Sequence, residues 1–296
     1  MRRNRPEPPS DRPWRARPEL ILYEGGGLVL SRFDCPPEHP AWSRSNATGR
    51  WPLIAFPGTP VWIEHEGAPP FVADPTVAVL YTPGQEYERR LLDPTGDHCT
   101  VIGMDESLLS GLAEDATSAG RSGPASSRIP VSSEVRLAHR RVLWALRSDA
   151  PVDPLWVQET LVRTVAAVVG CSPSRHGDRP TGRRRAAEAA RREAVEEVRA
   201  VLGRRFREPL TLDRVAEAVH LSPYHVARTF RTETGTTVHG YLTDLRLRAA
   251  LDAMRPSGGD LARVAADVGF SHHSHLTDQF TRRFGMPPSR ARRPAP

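Results

Sequence analysis

Apolar positions along this chain follow two different periods, and the change between them divides it. From Gly27 to Met104 they come in short runs closed by glycine and proline. Leu28-Val29-Leu30-Ser31-Arg32-Phe33 is one run, and Leu53-Ile54-Ala55-Phe56 is a second, followed by Pro57-Gly58. Val61-Trp62-Ile63-Glu64-His65 ends at Glu66-Gly67, Val77-Ala78-Val79-Leu80-Tyr81 ends at Pro83-Gly84, and Cys99 to Met104 is the last. Short runs rich in β-branched and aromatic residues, separated by turn residues, predict the strands of a small β-sandwich or barrel. Such a domain encloses an apolar interior that side chains fill or a ligand occupies.

Further on, the period becomes helical. Leu137, Val142, Leu143 and Leu146 share one helical face, and Leu161, Val165, Val168 and Val169 share another in a helix started by Pro154. These faces need the β domain or a second subunit to cover them, so a homodimer is an expected state. Residues 171–185 lose all periodicity and read as a linker, and an Ala- and Glu-rich connecting helix is predicted over 186–208. Residues 1–19, with five prolines and six arginines, read as a disordered tail. The predicted order is therefore tail 1–19, sensor or dimerisation domain 20–170, linker 171–185, connecting helix 186–208 and an all-α domain over 209–293.

The all-α domain repeats itself. Thr211 caps a helix whose Leu212, Val215, Ala216 and Val219 share a face; His220-Leu221-Ser222 breaks it. Ser222 and Pro223 then suit N-cap and N1 of a second helix, in which Val226 and Phe230 point inward and which Gly235 ends. Leu261, Val264, Ala265 and Val268 restate the first spacing, Gly269-Phe270-Ser271 stands at the break, and Leu276, Phe280 and Gly285 follow. The offset is 49 residues up to Val268 and 50 from Leu276 onward. Two helices around a tight turn, with a polar outer face on the second, make a helix-turn-helix, and here there are two. Between them Tyr241, Leu242, Leu245, Leu247, Leu251 and Met254 predict a long helix that holds the units at a fixed separation.

This organisation points to double-stranded DNA. Base edges would be read by outward residues early in each second helix: Tyr224, Ala227 and Arg228 in the first, and His273, Ser274, Thr277 and Asp278 in the second. Arginine offers a fork to guanine O6 and N7, and a carboxylate accepts from cytosine N4. Phosphates would be met by Arg231, Arg246, Arg282 and Arg283. Charge permits such a partner without establishing it. The formal net charge is +6 and all 41 basic residues are arginine, while 209–296 holds 12 arginines against eight acidic residues, a net of +4. Three cysteines, Cys35, Cys99 and Cys171, form no CxxC pair, and no apolar run is long enough for a membrane span or a signal peptide, so a cytoplasmic protein is expected. His220, His272, His273 and His275 do not make a metal set, because adjacent residues on a helix diverge. With no Ser/His/Asp motif, phosphate loop or metal triad, no enzyme activity, metal or cofactor is expected.

Residues 209–293 resemble the DNA-binding domain of the AraC/XylS family of bacterial transcription regulators. The resemblance is carried by Ala266-Asp267-Val268-Gly269-Phe270-Ser271, Phe280, and Arg283-Phe284-Gly285-Met286-Pro287-Pro288-Ser289, with Leu221, Phe230 and Gly235 in the first unit. It implies that Leu221, Phe230, Gly235, Gly269, Phe270, Phe280, Gly285 and Pro287 are the motif core, and that the base-reading positions are Tyr224, Ala227, Arg228, His273, Ser274 and Asp278. Asp278 departs from a position that is often basic in the family. Residues 20–170 resemble, more weakly, the cupin-like sensor domain of many members, which implies a closed β-barrel. Glu64-His65-Glu66 lacks the metal-binding pattern of cupins. The resemblance implies an activator that contacts RNA polymerase and responds to a small-molecule effector. The alternative is a constitutive regulator whose N-terminal domain only dimerises or contacts polymerase.

Overall fold

A computed structural model describes residues 19–43, 45–118, 127–148, 151–170, 182–255 and 258–292. The tail expected over 1–19 and the linker expected over 171–185 fall almost wholly outside these residues. The N-terminal part forms ten strands: β1 (Glu19–Gly25), β2 (Leu28–Cys35), β3 (Asn46–Ala47), β4 (Leu53–Pro57), β5 (Val61–His65), β6 (Phe71–Ala73), β7 (Val77–Tyr81), β8 (Glu86–Leu91), β9 (Asp97–Met104) and β10 (Arg128–Pro130). Helices α1 (Glu106–Ser118), α2 (Ser133–Arg147) and α3 (Pro154–Gly170) accompany them.

The strands build two open sheets, ordered β1-β2-β9-β4-β7-β10 and β3-β8-β5-β6. The closed, cupin-like barrel expected from the sequence does not form, because each sheet ends in strands with one neighbour. The edges explain why. β3 has two residues, and β10 has three and ends at Pro130, which has no N–H to donate. A helix side chain bridges the two edge strands β6 and β10. Glu196 accepts the Val72 N–H at 2.8 Å and pairs with Arg128 at 2.6 Å. A buried edge amide satisfied in this way needs no further strand.

The pleat sorts the side chains. Ile54 and Phe56 on β4, Leu28 and Leu30 on β2, and Ile102 and Met104 on β9 face α2 and α3, where Val142, Leu143, Leu161, Val165 and Val168 complete one core. Ala55, Val61, Ile63, Val79, Tyr81 and Tyr87 form a second core between the sheets. Beside it lies a cavity of about 380 Å³, with walls of Phe33, Trp51, Leu53 and Tyr81 and with Arg89 and Asp97 in its lining. Arg89 pairs with Asp97 at 2.6 Å, both buried, and its guanidinium lies 5.1 Å from the Phe33 ring centre.

His139 on α2 stacks on Phe56 with ring centres 4.4 Å apart, and its Nε2 lies 3.1 Å from the Thr100 hydroxyl. Burial, then the neighbouring Arg136 and Arg140, hold its pKa well below the usual histidine value. Burial also lowers His65. The unfolded chain takes up protons on these histidines near pH 6.5 that the folded chain refuses, so stability is full above that pH and falls below it. The limiting slope is about 1.4 kcal/mol per pH unit for each histidine. Urea unfolding between pH 7.5 and 5 is expected to show this loss, and His139→Phe to flatten it while keeping the stack. A slope unchanged by that substitution would assign the pH dependence elsewhere.

The C-terminal part is helical: α4 (Gly182–Arg205), α5 (Leu212–Ala218), α6 (Pro223–Thr234), α7 (Val238–Ala253), α8 (Leu261–Asp267), α9 (His273–Phe284) and α10 (Pro288–Ala291). α4 begins inside the linker expected over 171–185 and ends at Arg205, short of the end of the connecting helix expected over 186–208. Its Val195, Val198, Val201 and Leu202 join Val215, Phe230, Leu245, Leu251, Phe270 and Phe280 in one core, which also takes Leu137 and Trp144 from α2.

Candidate nucleic-acid interface

Both units are assembled by local capping. The Thr211 hydroxyl accepts the Arg214 N–H at 3.3 Å and starts α5. After Val219, His220 takes a left-handed φ of 54°, Leu221 returns its N–H to Ala216 O at 3.0 Å, and Ser222 caps α6 by accepting the His225 N–H at 3.2 Å. Pro223 sits at N1, where no N–H is needed, and Gly235 ends the helix in the left-handed region. In the second unit Asp260 caps α8, Gly269 takes the place of His220 with φ 86°, and Phe270 returns its N–H to Ala265 O at 2.8 Å.

The two turns differ by one residue, which accounts for the shift in offset from 49 to 50. The extra residue places the second N-cap at His272, one past Ser271. His272 supplies no side-chain cap bond. α9 ends at Gly285, and Pro287 caps α10 with Pro288 buried at N1.

The inward faces of the reading helices are Val226 and Phe230 on α6, and Leu276, Phe280 and Phe284 on α9, all buried. Outward lie Tyr224 (72% exposed) and Arg228, then His273, Ser274 and Asp278; Ala227 and Thr277 are half-buried beside them. Arg231 and Arg282 are exposed on the same two helices. The other two arginines expected at phosphates are engaged within the domain. Arg246 donates to Phe206 O and Glu208 O, both at 2.7 Å, and so ties down the end of α4. Arg283 forks onto Asp244 of α7 at 2.7 and 3.0 Å. No group of three or more His, Cys, Asp or Glu among the described residues is arranged to hold a metal.

Residues 215–294 match a family model described as a helix-turn-helix domain. The C-terminal domain is of the helix-turn-helix type.

Among relatives, the chain is 30% identical over 100 residues to the bifunctional transcriptional activator/DNA repair enzyme AdaA of Bacillus subtilis, covering 34% of this chain and 47% of that one. It is 25% identical over 158 residues to the HTH-type transcriptional activator RhaR of Cronobacter sakazakii, covering 53% and 54%. A solved transcriptional regulator of Chromobacterium violaceum, titled as having an AraC-type DNA-binding domain, is 24% identical over 35% of this chain and 93% of that one, with a TM-score of 0.33. The chain spans about half the length of AdaA and RhaR.

The helix-turn-helix domain is also gripped by the N-terminal domain, through contacts that the sequence did not reveal. The Tyr241 hydroxyl of α7 donates to the Asp74 carboxylate, and Thr76 donates to Tyr241 at 3.4 Å. Arg248, about two helical turns further on, donates to Pro75 O at 3.2 Å and to Val131 O at 2.7 Å. The available signal was an arginine inside the apolar run of α7, where the period leaves it facing the core.

Proposed function

We propose that this chain is a sequence-specific transcription regulator that places α6 and α9 in the major groove of one duplex, acts as an activator and responds to a small effector. The observation that carries the reading is the pair of similarly built helices with exposed polar faces at their N-terminal ends. α7, of 16 residues and therefore about 24 Å long, separates them. Tyr224, Ala227 and Arg228 read bases from α6; His273, Ser274, Thr277 and Asp278 read them from α9. Arg231 and Arg282 meet phosphates, and the helix N-termini assist them. Arg246 and Arg283 support the interface from inside the domain, through the bonds described above.

Effector response is supported by the 380 Å³ cavity between the sheets, whose apolar walls and buried Arg89–Asp97 pair suit a small molecule. Contact with RNA polymerase, homodimerisation and a cytoplasmic location belong to the same reading. No helix among the described residues is long and apolar enough to cross a membrane.

Selection from random duplexes should yield a preferred site whose affinity falls as salt rises, because each phosphate contact releases counterion. Arg228→Ala is expected to cost about 1–3 kcal/mol on that site and little on random DNA. Equal losses on both would remove Arg228 from base reading. A metabolite panel should contain a compound that raises the melting temperature, since a ligand of the folded form alone must stabilise it. Full promoter activity with no such shift would favour a constitutive regulator.

A further inference from the structure

The connection from α7 to the second unit ends in Gly258-Gly259, with φ of 99° and 145°. L side chains rarely adopt either value, and glycine has the greatest backbone freedom of any residue. The connection also borders a cleft of about 470 Å³, lined by Met254, Gly258, Gly259, Val264 and Asp267 among others. Inside the domain the second unit is tied to α7 by shared apolar core and by the Arg283–Asp244 pair, in which Arg283 is 44% exposed.

Helix α2 crosses this joint from the N-terminal domain. On the α7 side the buried Arg136 reaches the Asp252 carboxylate at 2.7 Å. Arg140 reaches the same carboxylate at 3.6 Å and donates to the Asp252 carbonyl. On the far side α2 packs on α9. There Arg141 donates to the Sδ of Met286, just beyond α9, at 3.6 Å. Leu137 and Trp144 enter the C-terminal core. α2 is anchored in turn to β4, through the His139–Phe56 stack and a 3.0 Å bond from Arg136 to Pro57 O.

We propose that α2 is a brace that sets the placement of the second reading helix relative to the first, with Arg136, Arg140 and Arg141 as positioning residues that never touch DNA. The inference rests on the reading that both units engage one duplex. It makes half-site spacing a property of the whole chain rather than of the DNA-binding domain alone. The first unit is held separately, through α4, whose Glu196 meets β6 and whose Gly203 lies against Pro60 with no room for a Cβ. Changes in α2 contacts therefore act on the second unit.

The test uses full-length Asp252→Asn and Arg141→Met. A preferred duplex selected by the wild type is remade with one base pair added to or removed from the spacer. The wild type should lose about tenfold in affinity at each change, since a one-pair shift rotates one half-site away from the other. The variants should lose less than about threefold, and should bind the first half-site alone as the wild type does. Without DNA, hydrogen exchange should quicken in 261–284 and not in 212–234. An unchanged spacing penalty with unchanged exchange in both folded variants overturns the brace. If Asp252→Asn does not fold, Arg141→Met, altered at a half-buried contact, carries the same two readouts. A wild type indifferent to the second half-site would overturn the two-unit reading instead, and the exchange measurement would still decide the brace.

Discussion

Replacing Arg248 with alanine is expected to destabilise the full chain by about 3–5 kcal/mol, the range for removing one partner of a buried charged network. Arg248 is 1% exposed. Its Nε pairs with Asp244 at 3.1 Å, and its two terminal nitrogens serve Pro75 O and Val131 O, carbonyls that lie on separate segments of the N-terminal domain. Burial lowers its pKa, yet a guanidinium stays charged in any folded protein. Alanine leaves both carbonyls without their donor and a void the size of the side chain. Lysine is expected to recover less than half of the loss, because a point charge cannot span the fork. Urea unfolding followed by tryptophan fluorescence and by far-ultraviolet circular dichroism should give coincident transitions in the wild type and separated ones in the variant. A loss below about 1 kcal/mol with transitions still coincident would show that this contact does not couple the domains.

The reading units were legible in the sequence because their signals are local. Ser222 before Pro223, Gly235 and Gly285 after the last apolar position, and the doubled spacing each act within a few residues and need no knowledge of the rest of the fold. The outward positions named from that period are the ones the structure exposes: Tyr224, Arg228, His273, Ser274 and Asp278. Five strands were legible for the same reason. Whether the sheets close was not, because closure is decided at edges. Here one such edge, at the Val72 amide, is met by Glu196 from 124 residues away. Arg246 was illegible as a clamped group, since in a sequence a clamped arginine and a solvated one look alike; only Arg248 had a signal, its place on the core-facing period of α7. The change of offset from 49 to 50 was visible in the string. Its consequence, a second reading helix that starts without a side-chain cap, was visible only in the structure.

Gly269→Ala should disable the second unit far more than the same change at Gly285. Both glycines have left-handed φ, 86° and 70°, so alanine costs each about 1–2 kcal/mol. They differ in what a Cβ would meet. At Gly285 nothing lies within 4 Å, whereas at Gly269 the Cβ would fall 2.8 Å from Arg207 O and 2.9 Å from Phe206 O. Those carbonyls have little room to retreat, because Arg246 already holds Phe206 O and Glu208 O. Forcing atoms into a packed site adds about 1–3 kcal/mol. The total of roughly 2–5 kcal/mol falls on the turn that orients α9. Gly269→Ala is therefore expected to abolish the contribution of the second half-site to affinity while the first half-site is still bound. Gly285→Ala should keep both, with a modest loss of stability. Titration against duplexes carrying one or both half-sites separates these outcomes. Equal behaviour of the two variants would mean that the close approach of the second turn to the end of α4 does not set the position of the reading helix.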